Sequence, residues 1–206
     1  MPSPTRRSLR YVALGDSYTI GTATRSPGDR WPDQLVARLG GDPPGLELVG
    51  NLAINGYTSR DVLERELPAL DAARPEIASV LIGVNDVVQG VPPAAYRANV
   101  EAILDELGAR LPTERIFTVS TPDYTVTPQG AAYGDPVRQS AGIRAMNAIL
   151  RALAVERDIV FVDILDLSLR ALDDRTLVAA DGLHPSGAQY ALWVDRIAPA
   201  VLRLMA

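Results

Sequence analysis

An α/β fold, a three-layer α/β/α sandwich on a parallel sheet, is what this sequence predicts. Short apolar, β-branched runs alternate with longer amphipathic ones along its 206 residues, which is the pattern of successive βαβ units. Glycine-bearing polar motifs follow most of the apolar runs, where the loops of a parallel sheet gather. No internal repeat, low-complexity tract or linker interrupts the pattern, so residues 1–206 read as one domain of ordinary globular composition, 47% hydrophobic and 22% charged.

Five strands are expected, at 10–15 (RYVALG), 46–54 (LELVGNLAI), 77–83 (IASVLIG), 115–120 (RIFTVS) and 159–164 (IVFVDI). Each is a short apolar run rich in β-branched or aromatic residues. The amphipathic stretches between and after them predict helices over 31–39, 59–72, 93–110, 136–157 and 186–204. In 59–72, Val62, Leu63, Leu67 and Leu70 recur at helical spacing, and Arg60, Glu64, Arg65 and Glu66 are expected on the wet face, with Ser59 as N-cap. Two longer irregular stretches, 22–30 and 121–135, are candidates to border a substrate site rather than to serve as plain solvated crossovers.

Composition excludes several chemistries. The chain has no cysteine, so disulfides, thiolate metal sites and a cysteine nucleophile are ruled out. It has no lysine either, which removes Schiff-base catalysis and a P-loop. A net charge of −5 disfavours nucleic acid and anionic membranes as partners, because both attract a cationic face. No apolar run is long enough to span a bilayer, and the run YVALG near the start is too short for a signal-peptide core, so a cytoplasmic location is expected.

The polar motifs after the strands carry the functional reading. After the first stands GDSYTIG with Asp16 and Ser17, after the second NGYTS with Gly56, and after the third GVND with Asn85 and Asp86. Past the fifth, DGLHP holds Asp181 and His184, the only histidine of the chain. In open parallel sheets such motifs converge at the carboxyl edge. A serine hydroxyl needs a base to take its proton, and an imidazole, with an ordinary pKa near ~6.5, suits that task. Ser17 is therefore the candidate nucleophile and His184 the candidate base. Asp181, three residues earlier, is placed to fix the imidazole tautomer in a tight turn. The N–H groups of Ser17 and Gly56 and the Asn85 amide are candidate oxyanion donors. Asp16 and Asp86 are read as groups that hold their loops, and Tyr18 and Tyr57, with Tyr124, Tyr133 and Trp31, as candidate pocket lining.

These four blocks, in this order over residues 15–185, resemble the SGNH hydrolases, the GDSL esterases and lipases. Ser17, Gly56, Asn85 and His184 match the four signature residues, and Asp181 the third member of the triad. The sequence departs from the family after Ser17, where Tyr18 replaces the usual aliphatic residue. The resemblance implies a flavodoxin-like sheet of five parallel strands, no cofactor, no metal, and hydrolysis of a small-molecule carboxylic ester through an acyl-enzyme. Short loops and modest length favour short to medium acyl chains. Thioesters, lysophospholipids and acetylated carbohydrates stay open as substrates within the family, and oligomeric state stays open too.

Rival classes fit less well. A haloacid-dehalogenase-type phosphatase needs Asp-x-Asp after the first strand, where this chain has GDSYT. A zinc hydrolase lacks ligands in a chain with one histidine and no cysteine. A flavodoxin-like binding module without catalysis remains as the alternative of a different class, because fold alone does not fix function.

Overall fold

The computed structural model describes residues 7–40 and 44–205. Its strands are β1 (Leu9–Gly15), β2 (Leu46–Asn51), β3 (Ile77–Leu81), β4 (Ile116–Val119) and β5 (Val160–Val162). The helices, in chain order, are α1 (Ser17–Ile20), α2 (Trp31–Leu39), α3 (Ser59–Asp61), α4 (Leu67–Ala73), α5 (Val84–Val88), α6 (Pro93–Gly108), α7 (Pro136–Val155), α8 (Leu165–Leu169) and α9 (Gly187–Met205). All strand pairs are parallel, in the order β2-β1-β3-β4-β5.

Both faces of the sheet are covered, and β1 shows how. Tyr11 and Ala13 point into a core shared with Trp31 and Leu35 of α2 and Tyr190, Trp193 and Ile197 of α9. Val12 and Leu14 point into a second core with Leu70 of α4, Val100 and Ile103 of α6, and Leu150 and Leu153 of α7. A strand buried on both faces reads as a continuous apolar run, which is why β1 and β3 were visible as such in sequence. Tyr11 satisfies its hydroxyl inside the core by a 2.7 Å bond with Ser79 of β3.

The strands end earlier than the apolar runs do. After Asn51 the chain leaves the sheet, its Nδ2 donating to the Thr19 carbonyl at 2.8 Å, so 52–54 is loop and Ile54 lies 48% exposed. β5 keeps only Val160–Val162, because the Asp163 carboxylate accepts from the Ser120 hydroxyl and the Leu165 N–H and turns the chain into α8. The short helices α1 and α5 were not expected, being four and five residues long and too brief to show a period.

The largest departure is in 59–72. The helix begins after Thr58, not Ser59, with the Asp61 carboxylate accepting from the Thr58 N–H at 3.0 Å and its hydroxyl at 2.8 Å. A π-helical turn, Val62–Glu66, then joins α3 to α4, the Leu67 N–H reaching back five residues to the Val62 carbonyl. Pro68 has no N–H and would clash with the Glu64 carbonyl in an ordinary turn, and the wider turn relieves both problems. Glu66, expected in solvent, is 2% exposed: it stands four residues after Val62 and four before Leu70, on the apolar face.

β1 has β2 on one side and β3 on the other, so chain progression reverses between β1 and β3. Loops leaving the carboxyl ends of these two strands diverge and leave a crevice. Among the described residues no helix is long and apolar enough to cross a membrane.

Candidate active site

The first block forms the turn from β1 into α1. Gly15 has φ +149°, and a Cβ there would stand 2.3 Å from the Leu81 carbonyl oxygen, so only glycine fits. Asp16 is extended and caps α1, its Oδ1 accepting from the Tyr18 N–H at 3.0 Å. This places Ser17 as the first residue of α1, 4% exposed. The Glu66 Oε2 accepts from the Gly15 N–H at 2.9 Å and ties this turn to the π-helical turn.

The second and third blocks are bonded to each other. Gly56 has φ +85° with nothing within 4 Å of a built Cβ, so the glycine is required for backbone conformation, not for space. Asn85 of α5 donates one amide hydrogen from Nδ2 to the Tyr57 carbonyl at 2.9 Å. An asparagine amide has a second, which remains for a ligand. Asp86, fully buried, accepts from the Ser59 N–H at 2.9 Å and the Ser59 hydroxyl at 2.6 Å. Among the described residues, the N–H groups of Ser17 and Gly56 have no protein acceptor.

The last block is a pinned turn. Asp181 Oδ2 stands 2.6 Å from His184 Nδ1, while its Oδ1 accepts from the N–H groups of Leu183 and His184, both at 3.0 Å. Burial alone would raise the Asp181 carboxyl, but the bonds from His184 and the two N–H groups outweigh it and hold the group below the ordinary aspartate value. The turn is closed by the Ala179 N–H to the His184 carbonyl at 2.7 Å, and the Ser186 N–H reaches the Leu177 carbonyl at 2.8 Å. Tyr18 lies against the imidazole, ring centroids 5.4 Å apart and tilted by 50°.

All four blocks meet at a cleft of about 230 Å³ lined by Ser17, Tyr18, Asn55, Gly56, Val84, Asn85, Val88, Tyr124, Tyr133, Leu183 and His184. Ser17 and His184 share this cleft without a direct hydrogen bond between them. Loop 121–135 borders the cleft through Tyr124 and Tyr133, stacked edge to face at 5.9 Å. Loop 22–30 does not: Ala23, Thr24 and Arg25 line a separate depression behind the histidine turn.

Two lining expectations are corrected. Tyr57 offers the site only its carbonyl, its ring lying under the Arg65 guanidinium at 5.6 Å. Trp31 is wholly buried with its edge toward Phe117, one of the core aromatics. Val84, Val88 and Leu183, flanking site residues, were missed because nothing in a run of aliphatic residues separates a cleft wall from core. Glu66 was missed because its charge was read as solvent-facing, although its spacing from Val62 and Leu70 puts it on the buried face.

A family model of the GDSL-like Lipase/Acylhydrolase family matches residues 13–192. The chain belongs to this family. It is accordingly a hydrolase of ester bonds. By sequence alone it matches no curated protein. The GDSL hydrolase superimposes on Axe2, an acetylxylan esterase from Geobacillus stearothermophilus, with a TM-score of 0.73 at 21% identity, over 98% of this chain and 96% of that one. Catalytic mutants of Axe2, with alanine for a serine, an aspartate or a histidine, match with a TM-score of 0.72 at 21% identity over 96% and 94%. LAE5, an alpha/beta hydrolase enzyme from the metagenome of Lake Arreo, Spain, gives 0.71 at 20% identity over 96% and 94%.

Proposed function

We propose that this hydrolase is a serine esterase that cleaves small carboxylic esters of short to medium acyl chain through an acyl-enzyme. The observation that carries the reading is the 2.6 Å contact of Asp181 with His184 Nδ1 at the cleft that Ser17 also lines. With Nδ1–H bonded to the carboxylate, Nε2 is free to accept a proton. In the first step Ser17 Oγ attacks the ester carbonyl carbon and its proton passes to His184 Nε2. The charge that develops on the carbonyl oxygen is met by the N–H groups of Ser17 and Gly56 and the second amide hydrogen of Asn85. Collapse breaks the bond to the alkoxy oxygen, which takes the proton from Nε2 and leaves as alcohol. Water then repeats the sequence on the acyl-serine, with His184 again as base, and releases the acid.

The cleft volume, about 230 Å³, and the packing of Tyr18 against His184 support a short acyl group. A second reading within the same chemistry, removal of acetyl groups from carbohydrate, is favoured by the likeness to an acetylxylan esterase and by the Tyr124–Tyr133 pair, an amphipathic aromatic surface at the cleft mouth. Hydrolysis of p-nitrophenyl esters from C2 to C12, beside acetate release from acetylated xylo-oligosaccharides, tests both. Turnover of C2–C6 esters faster than C12 is expected. A maximum at C12 overturns the acyl preference, and absence of turnover on every ester overturns the esterase.

Asn85→Ala is expected to lower kcat roughly 10²–10³-fold with little change in KM, because the bond it offers strengthens only as charge develops. A rise in KM at constant kcat would instead make Asn85 a group that positions the ground-state substrate. Steady-state kinetics on p-nitrophenyl acetate separates the two.

A further inference from the structure

Beneath the nucleophile turn lies a cluster of acidic groups that the proposed mechanism does not use. Glu66, 2% exposed, and Asp16, fully buried, both bond the backbone around Ser17, through the Gly15 N–H at 2.9 Å and the Tyr18 N–H at 3.0 Å. Their other oxygens, Glu66 Oε1 and Asp16 Oδ2, have no hydrogen-bond partner among the described residues, nor has Thr19 Oγ1 beside Gly15. No arginine bonds either carboxylate among the described residues; Arg60 and Arg65 pair instead with Glu64 and Asp61. The charges that bear on Glu66 are those of Asp16 and of Asp61 of α3; Asp86 of α5 bears on Asp16, and both bear on the Tyr96 phenol of α6.

We infer that Glu66, buried on the apolar face of its helix, is a positioning residue that works as a neutral carboxylic acid, holding the Gly15 N–H and with it the placement of Ser17. The inference rests on the reading of Ser17 as nucleophile. Two unpaired charges buried side by side carry a large desolvation cost. A proton on Glu66 removes one of them and turns an orphaned acceptor into a donor, while the carbonyl oxygen still accepts from Gly15. Burial, with the charges of Asp16 and Asp61, raises the Glu66 carboxyl to about 9, and burial raises Asp16 to about 7.

The test compares Glu66→Gln, the neutral isostere, and Glu66→Leu with the wild type and Ser17→Ala on p-nitrophenyl acetate between pH 6 and 10. Glu66→Gln is expected to keep kcat within about threefold at pH 7, the bond to Gly15 being retained. It should also lose the alkaline fall in kcat that the wild type shows as Glu66 ionises beside Asp16. Glu66→Leu is expected to lower kcat roughly 10²-fold at nearly constant KM, as a displaced nucleophile does. Thermal unfolding gives a second readout. A carboxyl raised in the folded state costs stability increasingly from its unfolded pKa, near ~4.3, up to its folded value, so the advantage of Glu66→Gln over wild type should widen from about pH 5 to 9. An alkaline fall that persists in Glu66→Gln, or a Gln variant less stable than wild type at pH 8, overturns the inference even where Glu66→Leu does not fold. If Ser17→Ala retains activity, the nucleophile reading has failed instead.

Discussion

Ser17→Ala is expected to lower kcat/KM for p-nitrophenyl acetate by roughly 10⁴-fold or more while leaving the fold intact. The size follows from the covalent route: without Oγ no acyl-enzyme forms, and what remains is hydrolysis by water in a cleft that still offers oxyanion donors. The fold should not notice, because the Ser17 hydroxyl has no hydrogen-bond partner among the described residues and the turn is held by Asp16 and Glu66. A fluorophosphonate should label the wild type at Ser17, located by mass spectrometry of the peptide, and leave the variant unlabelled. A variant with a rate near wild type, or a label on another residue, would remove Ser17 from the mechanism.

Asp181→Asn is expected to cost about 10⁴-fold in kcat, although it changes the side chain by one group. The asparagine oxygen can keep the two bonds from the Leu183 and His184 N–H groups, which turns its NH₂ toward His184 Nδ1. An amide donor there makes Nδ1 the acceptor and moves the imidazole proton to Nε2, so the ring faces Ser17 as a donor and no longer as a base. Kinetics beside ¹⁵N chemical shifts of the sole histidine would read rate and tautomer together. Full activity with the Nε2–H tautomer would exclude His184 as the base. The low Asp181 pKa carries a stability consequence of definite sign. Its contribution is present above the ordinary aspartate value, near ~3.9, and is lost as pH falls through the lowered one. Melting temperatures of wild type and Asp181→Asn should therefore converge on acidification.

Much of the site was legible because its chemistry is local. Asp181 and His184 stand three apart in one turn, and the contact between them needs only that turn to close. Asp16, read as a group that holds its loop, caps the helix that begins one residue later. Asp86 was readable as a group that holds its loop, but its partner, Ser59, lies 27 residues away and only the fold brings them together. Tyr57 and Trp31 were misread because an aromatic at the end of an element looks the same whether it faces a cleft, an arginine or the core.

The sequence by itself determined the order of strands and long helices, since their lengths and periods follow from which residues avoid water. It also narrowed the candidates for the reacting groups, since a chain with one histidine and neither lysine nor cysteine leaves few ways to activate a nucleophile. Only the tertiary structure decided where the elements end, which aliphatic residues wall the cleft, and what Glu66 holds. These depend on contacts between distant segments: Asn51 with Thr19, Val84 and Val88 beside Tyr124, Glu66 with Gly15. Spacing puts Glu66 on the apolar face of its own helix, but no periodicity within that helix records that the Gly15 N–H waits there.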